Sequence, residues 1–99
     1  MPDEKITVLA IAKAKPGIED KVKAELMALI EPTRAETACI SYDLHQDTED
    51  KASFMFYENW QSKEALDEHI QTPHLQKLLA KADDLFDGPL DVTIWKKLS

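Results

Sequence analysis

From Ile6 to Ala14 the chain is apolar on both alternating faces, with Ile6, Val8, Ala10 and Ala12 on one and Leu9 and Ile11 on the other. A period of two predicts a strand, and a strand apolar on both faces is expected to be covered on both. Pro16-Gly17 breaks the pattern. Val22, Leu26, Leu29 and Ile30 then recur at i, i+4, i+7 and i+8, one stripe of a helix, with Glu19 and Asp20 in the first turn, where the helix dipole favours negative charge. Pro32 is expected to end or kink this helix, with Thr33 to Glu36 able to continue it beyond the kink.

Cys39 to Gln46 alternates Ile40, Tyr42 and Leu44 against Ser41, Asp43 and His45, a second strand. The polar run Asp47 to Lys51 is a turn, and Ser53 to Trp60 is a third strand, with Phe54, Phe56, Glu58 and Trp60 facing one way and Met55, Tyr57 and Asn59 the other. Ser62 suits an N-cap for a short helix whose Ala65, Leu66, His69 and Ile70 share a face. Thr72-Pro73 starts a further helix, Pro73 standing where a missing N–H costs nothing. Its stripe is Leu75, Leu78, Leu79, Ala82, Leu85 and Phe86, and Gly88-Pro89 stops it. Leu90 to Leu98 closes as a fourth strand, with Leu90, Val92 and Ile94 opposite Asp91, Thr93 and Trp95.

This order predicts an α+β fold: the ferredoxin-like βαββαβ split, both helices, the second in two pieces, packed on one face of a four-stranded antiparallel sheet, residues 1–99 forming one domain. Leu9, Ile11, Met55, Tyr57 and Trp95 make the other sheet face apolar as well. A second copy packed sheet to sheet would cover it, so a homodimer with a barrel-like core is expected.

Composition narrows the chemistry. Two isolated glycines, Gly17 and Gly88, cannot build a P-loop or a dinucleotide fingerprint. Cys39 alone allows no disulfide framework or CxxC site within one chain. A net charge of −7 opposes phosphate attraction, so nucleic acid is excluded as a partner. The longest apolar run, Val8 to Ala12, is far too short to span a bilayer, and the acidic start Met1-Pro2-Asp3-Glu4 lacks a secretory n-region, which points to the cytoplasm.

His69 lies on an apolar helix stripe that faces the sheet, and Glu58 and Trp60 share the strand face that runs beneath it. One reading is a general base, His69, oriented by Glu58 beside a tryptophan wall, since imidazole titrates near neutrality. The other is a core histidine satisfied by a carboxylate. His74, near the start of its helix, stands either where backbone N–H groups meet an anion or on a pocket rim. Arg34 would meet a ligand anion or pair with Glu36 or Glu31. Tyr42, Asn59 and Trp60 are candidates to shape a pocket for a flat apolar molecule. Ser41, Asp43 and His45 project in parallel about 6.6 Å apart, a poor nucleophilic relay. No ligand spacing supports a metal site. Cys39 reads as a small apolar residue rather than a nucleophile.

Tyr57-Glu58-Asn59-Trp60-Gln61-Ser62-Lys63-Glu64-Ala65-Leu66, then His69, then Thr72-Pro73-His74-Leu75, closely resembles the antibiotic biosynthesis monooxygenase family. The resemblance extends to Lys15-Pro16-Gly17 and to Arg34-Ala35-Glu36 leading into Cys39-Ile40-Ser41-Tyr42, nearly the whole chain. It implies a dimeric α/β barrel with a pocket between sheet and helices, and for some members oxygenation of phenols, quinols or polyketide-derived aromatics by O₂ without a cofactor. It assigns no flavin or metal. Ala38 stands where members commonly carry glycine. The haem-degrading branch uses an asparagine, a tryptophan and a histidine where this chain has Ala10, His69 and Leu79. A branch acting on a phosphorylated autoinducer shares the Thr72-Pro73-His74 and Gly88-Pro89 features, which leaves an isomerase or degrader as the alternative. A non-catalytic dimeric ligand-binding module is the third reading.

Overall fold

The computed structural model describes residues 4–99; Met1 to Asp3, part of the acidic start noted above, lie outside the described residues. Strands β1 (Ile6–Lys13), β2 (Cys39–Gln46), β3 (Ser53–Trp60) and β4 (Asp91–Lys96) form an antiparallel sheet in the order β2-β3-β1-β4. Helices α1 (Glu19–Met27) and α2 (Ile30–Arg34) connect β1 to β2, and α3 (Lys63–Ile70), α4 (Pro73–Ala80) and α5 (Ala82–Leu85) connect β3 to β4. This is the expected ferredoxin-like arrangement, with the two-residue period setting which face of each strand the helices cover.

Val8, Ala12, Phe54, Phe56 and Trp60 from that face meet Val22, Leu26, Leu66, Leu78 and Leu85 from the helices, all buried. Their burial drives the fold, at about 25 cal/mol for each Å² of apolar surface removed from water. The Ser62 hydroxyl accepts the N–H of Ala65 at 3.1 Å and caps α3.

Local departures have local causes. The α1 stripe breaks at Ala28–Leu29, upstream of Pro32, which sits in the first turn of α2, where a missing N–H breaks no hydrogen bond. The single helix expected after Pro73 is likewise interrupted at Lys81. A register shift between Cys39 and Ser41 leaves Ile40 without a partner on β3, so this residue is exposed rather than aligned with buried Tyr42. All six residues of β4 are exposed because the strand is an edge and no helix covers it.

Gly17 and Gly88 adopt φ +90° and +93° at two turns. A Cβ at either would meet nothing within 4 Å, so a substitution there acts through the backbone alone. Gly88→Ala should therefore cost about 1 kcal/mol without perturbing the core. Urea unfolding checks this: a lowered midpoint with an unchanged m-value is expected.

Candidate functional site

A cavity of about 260 Å³ lies between the sheet and the helices, walled mainly by apolar side chains that include Val8, Phe56, Leu66 and Leu78. His69 from α3 and Glu58 from β3 reach the same cavity, and Tyr42 from β2 joins them. Val92 and Ile94 of the uncovered edge strand line its open side and are half exposed.

His69 faces the sheet, as its helix stripe requires, and is 3% exposed. Its ring lies over Trp60 with centroids 4.6 Å apart and meets Tyr42 edge-on at 5.6 Å. Its carboxylate partner is not the expected Glu58. Glu36, in the loop between α2 and β2, places Oε2 2.8 Å from His69 Nδ1. The same oxygen lies 2.9 Å from Nε2 of His74. A carboxylate only accepts, so Nδ1 of His69 carries a proton and Nε2 is left as the basic nitrogen. Among the described residues Nε2 has no hydrogen-bond partner. The Thr72 hydroxyl donates to the His69 carbonyl at 2.7 Å, so Nε2 of His74, 3.1 Å from Thr72 Oγ1, is also a donor.

Glu58 serves a different contact: Oε1 accepts the indole N–H of Trp60 at 2.9 Å. Both residues point to the helix-covered face from positions two apart on β3, which makes this pairing local, whereas His69 sits above the ring. Burial, only partly offset by the indole and reinforced by the charge of Glu36, pushes the Glu58 carboxyl up to about 7. Burial also outweighs Glu36 at His69 and lowers its pKa, so the ring is neutral at pH 7. Tyr42 is held far above the usual phenol range by burial first and the Glu58 charge second, which keeps its hydroxyl protonated. Burial pushes the Cys39 thiol up to about 11, so the residue is no thiolate nucleophile.

Four expected pocket residues stand elsewhere. Asn59 lies on the opposite sheet face, accepting from Thr7 Oγ1 at 2.7 Å and donating to Ser41 Oγ at 2.9 Å, because alternation turns it away from Glu58 and Trp60. Arg34 pairs with neither Glu36 nor Glu31. Its guanidinium binds the Tyr42 carbonyl at 3.1 Å and Asp43 at 2.8 Å on an exposed edge. His74 is engaged by Glu36 and is not part of the cavity wall. Trp60 backs His69 rather than lining the cavity itself. Glu36 is the residue missed as a site group: it lies in a loop without periodicity, and only its place in Arg34-Ala35-Glu36 marked it.

Glu36, His69 and His74 bring three ligand-type atoms within 4.8 Å of one another, although their spacing in the chain gave no hint of it. The two imidazole N–H groups already meet the carboxylate, which accounts for the cluster as a hydrogen-bonded unit.

Residues 5–81 match the antibiotic biosynthesis monooxygenase family. The chain belongs to this family. It is 31% identical to PA3566 from Pseudomonas aeruginosa, whose crystal structure superposes with a TM-score of 0.93 over 100% of this chain and 99% of that one. Rv0793 from Mycobacterium tuberculosis is 34% identical with a TM-score of 0.90, covering 96% of each chain. The sll1783 protein of Synechocystis is 37% identical over 95% of this chain, which spans 64% of that protein's length. A crystal structure described as an antibiotic biosynthesis monooxygenase is 31% identical with a TM-score of 0.88, over 95% of this chain and 99% of that one.

The raised Glu58 pKa has a definite sign for stability. The folded state holds this proton more tightly than the unfolded chain, so the contribution is full below about 4.5 and is lost as pH rises through about 7. Thermal unfolding at pH 5 and pH 8 should show a smaller loss of Tm across that interval in Glu58→Gln than in the parent, since the amide cannot ionise.

Proposed function

We propose that the protein is a cofactor-independent monooxygenase acting on a small neutral hydroquinone or phenol with O₂. The observation that carries this reading is His69: a neutral imidazole with Nδ1–H fixed on Glu36 and Nε2 unbonded, bordering an apolar cavity. His69 is the general base, Glu36 orients it and stabilises the imidazolium that forms, and Trp60 and Tyr42 hold the ring in place. An apolar cavity of about 150 Å³ holds a benzene, so one of about 260 Å³ fits a molecule of one or two rings.

Nε2 takes the substrate hydroxyl proton, and the electron-rich anion reduces O₂ in surroundings of low polarity. A quinol supplies all four electrons: one oxygen atom enters the ring, the other leaves as water, and the product is a hydroxyquinone. Among the described residues the only Lys or Arg along the cavity, Lys63, is paired with Asp67 at 2.8 Å. That pairing weighs against the phosphorylated-signal alternative, which needs a free cation for its phosphate.

The outer sheet face, with Ile11, Tyr57 and Trp95 between 42% and 56% exposed, is read as the seat of a second copy. Sedimentation velocity at micromolar concentration should show a dimer, and a monomer there would remove this part of the reading.

On a panel of one- and two-ring hydroquinones, His69→Asn should lower O₂ consumption by roughly 10²- to 10⁴-fold. Glu36→Gln, which can still accept from Nδ1 but carries no charge, should lose less. Unchanged O₂ uptake in His69→Asn would end the assignment.

A further inference from the structure

Besides the oxygenation, which uses one base, the cavity has a second proton-bearing group without an assigned task. Glu58 borders it, and only Oε1 is engaged by Trp60; Oε2 has no hydrogen-bond partner among the described residues. Glu58 stands on the sheet floor, paired across the strands with Val8 and Tyr42, whereas His69 descends from α3 over Trp60, two residues further along β3. Both groups border one cavity from different walls, an arrangement that suits a base and an acid acting on the two ends of one CH–C=O unit, each at a hydrogen-bond reach of about 3 Å.

We propose that the same cavity catalyses an oxygen-independent reaction, the keto–enol tautomerisation of a neutral ring-fused ketone, with His69 Nε2 acting at the α-carbon and the Glu58 carboxyl at the carbonyl oxygen. Nε2 removes the α-proton, the C–H electron pair becomes the C=C bond, and the carbonyl π pair takes the Glu58 proton to give the enol. Imidazolium and carboxylate remain, and the reverse step restores both, so nothing is consumed. Glu58 has its proton to give at neutral pH because burial raises its pKa. The proton matters here because the imidazolium forms at the α-carbon and not at the carbonyl oxygen, and among the described residues the one Lys or Arg along the wall, Lys63, is held by Asp67. An apolar wall and a cavity of about 260 Å³ select an uncharged substrate of one or two rings.

The inference rests on the reading of His69 as a base but not on O₂, and one experiment separates the two. The full chain is incubated with 2-tetralone, a neutral two-ring ketone, in D₂O under argon, and loss of the α-proton NMR signal is followed. The parent should exchange faster than buffer alone, Glu58→Gln should be slower by roughly 10²-fold, and His69→Asn should fall to background. Glu58→Asp keeps a carboxylic acid and should recover part of the rate lost in Glu58→Gln. No exchange by a parent protein that oxidises a hydroquinone in air would overturn the tautomerase and leave the oxygenase standing. Full exchange in Glu58→Gln, or equal loss in Glu58→Asp and Glu58→Gln, would overturn the role of the Glu58 proton. Exchange that needs both residues, in a protein inert towards hydroquinones in air, would uphold the tautomerase and end the oxygenase reading.

Discussion

A single carboxylate oxygen organises this molecule's chemistry. Oε2 of Glu36 receives N–H groups from His69 and His74, at 2.8 and 2.9 Å, and so fixes which nitrogen of His69 is basic and where it points. Without that acceptor a buried imidazole has no reason to prefer one tautomer. The contact joins a loop before β2 to α3 and α4, elements more than thirty residues away along the chain. The site and the packing of the helices on the sheet are therefore one structure: displacing the helices would also displace the base.

Burial then divides the labour among the titratable groups. The same apolar surroundings lower His69 and raise Glu58 to about 7, so at neutral pH the imidazole is neutral and the carboxyl keeps its proton in about half of the molecules. Tyr42 is raised further and remains a phenol. A cavity with a neutral base, a carboxyl that shares its proton with water at neutral pH and, among the described residues, no unpaired Lys or Arg favours uncharged substrates, because no resident cation would compensate the desolvation of an incoming anion.

Much of the fold was legible from periodicity. Ile6 to Ala14, Ser53 to Trp60 and the stripe of Ala65, Leu66 and His69 each stand where their spacing put them, since a strand or helix facing a core must repeat its apolar residues at the period of its own geometry. The breaks in that regularity were not legible. A bulge at Ile40 and an interruption at Lys81 arise from pairing and packing between distant segments, which a local pattern does not encode.

The sequence by itself determined that His69 faces the sheet, that Glu58 and Trp60 share a strand face, that Asn59 faces the other way, and that no nucleotide-binding loop exists. Those are consequences of period and composition. Only the tertiary structure decided that Glu36 rather than Glu58 holds His69, that His74 joins the same oxygen, and that Arg34 turns to Asp43. The physical reason is range: periodicity places a side chain on a face, but a hydrogen bond is made within about 3 Å, and which loop comes that close is settled by how the whole chain packs.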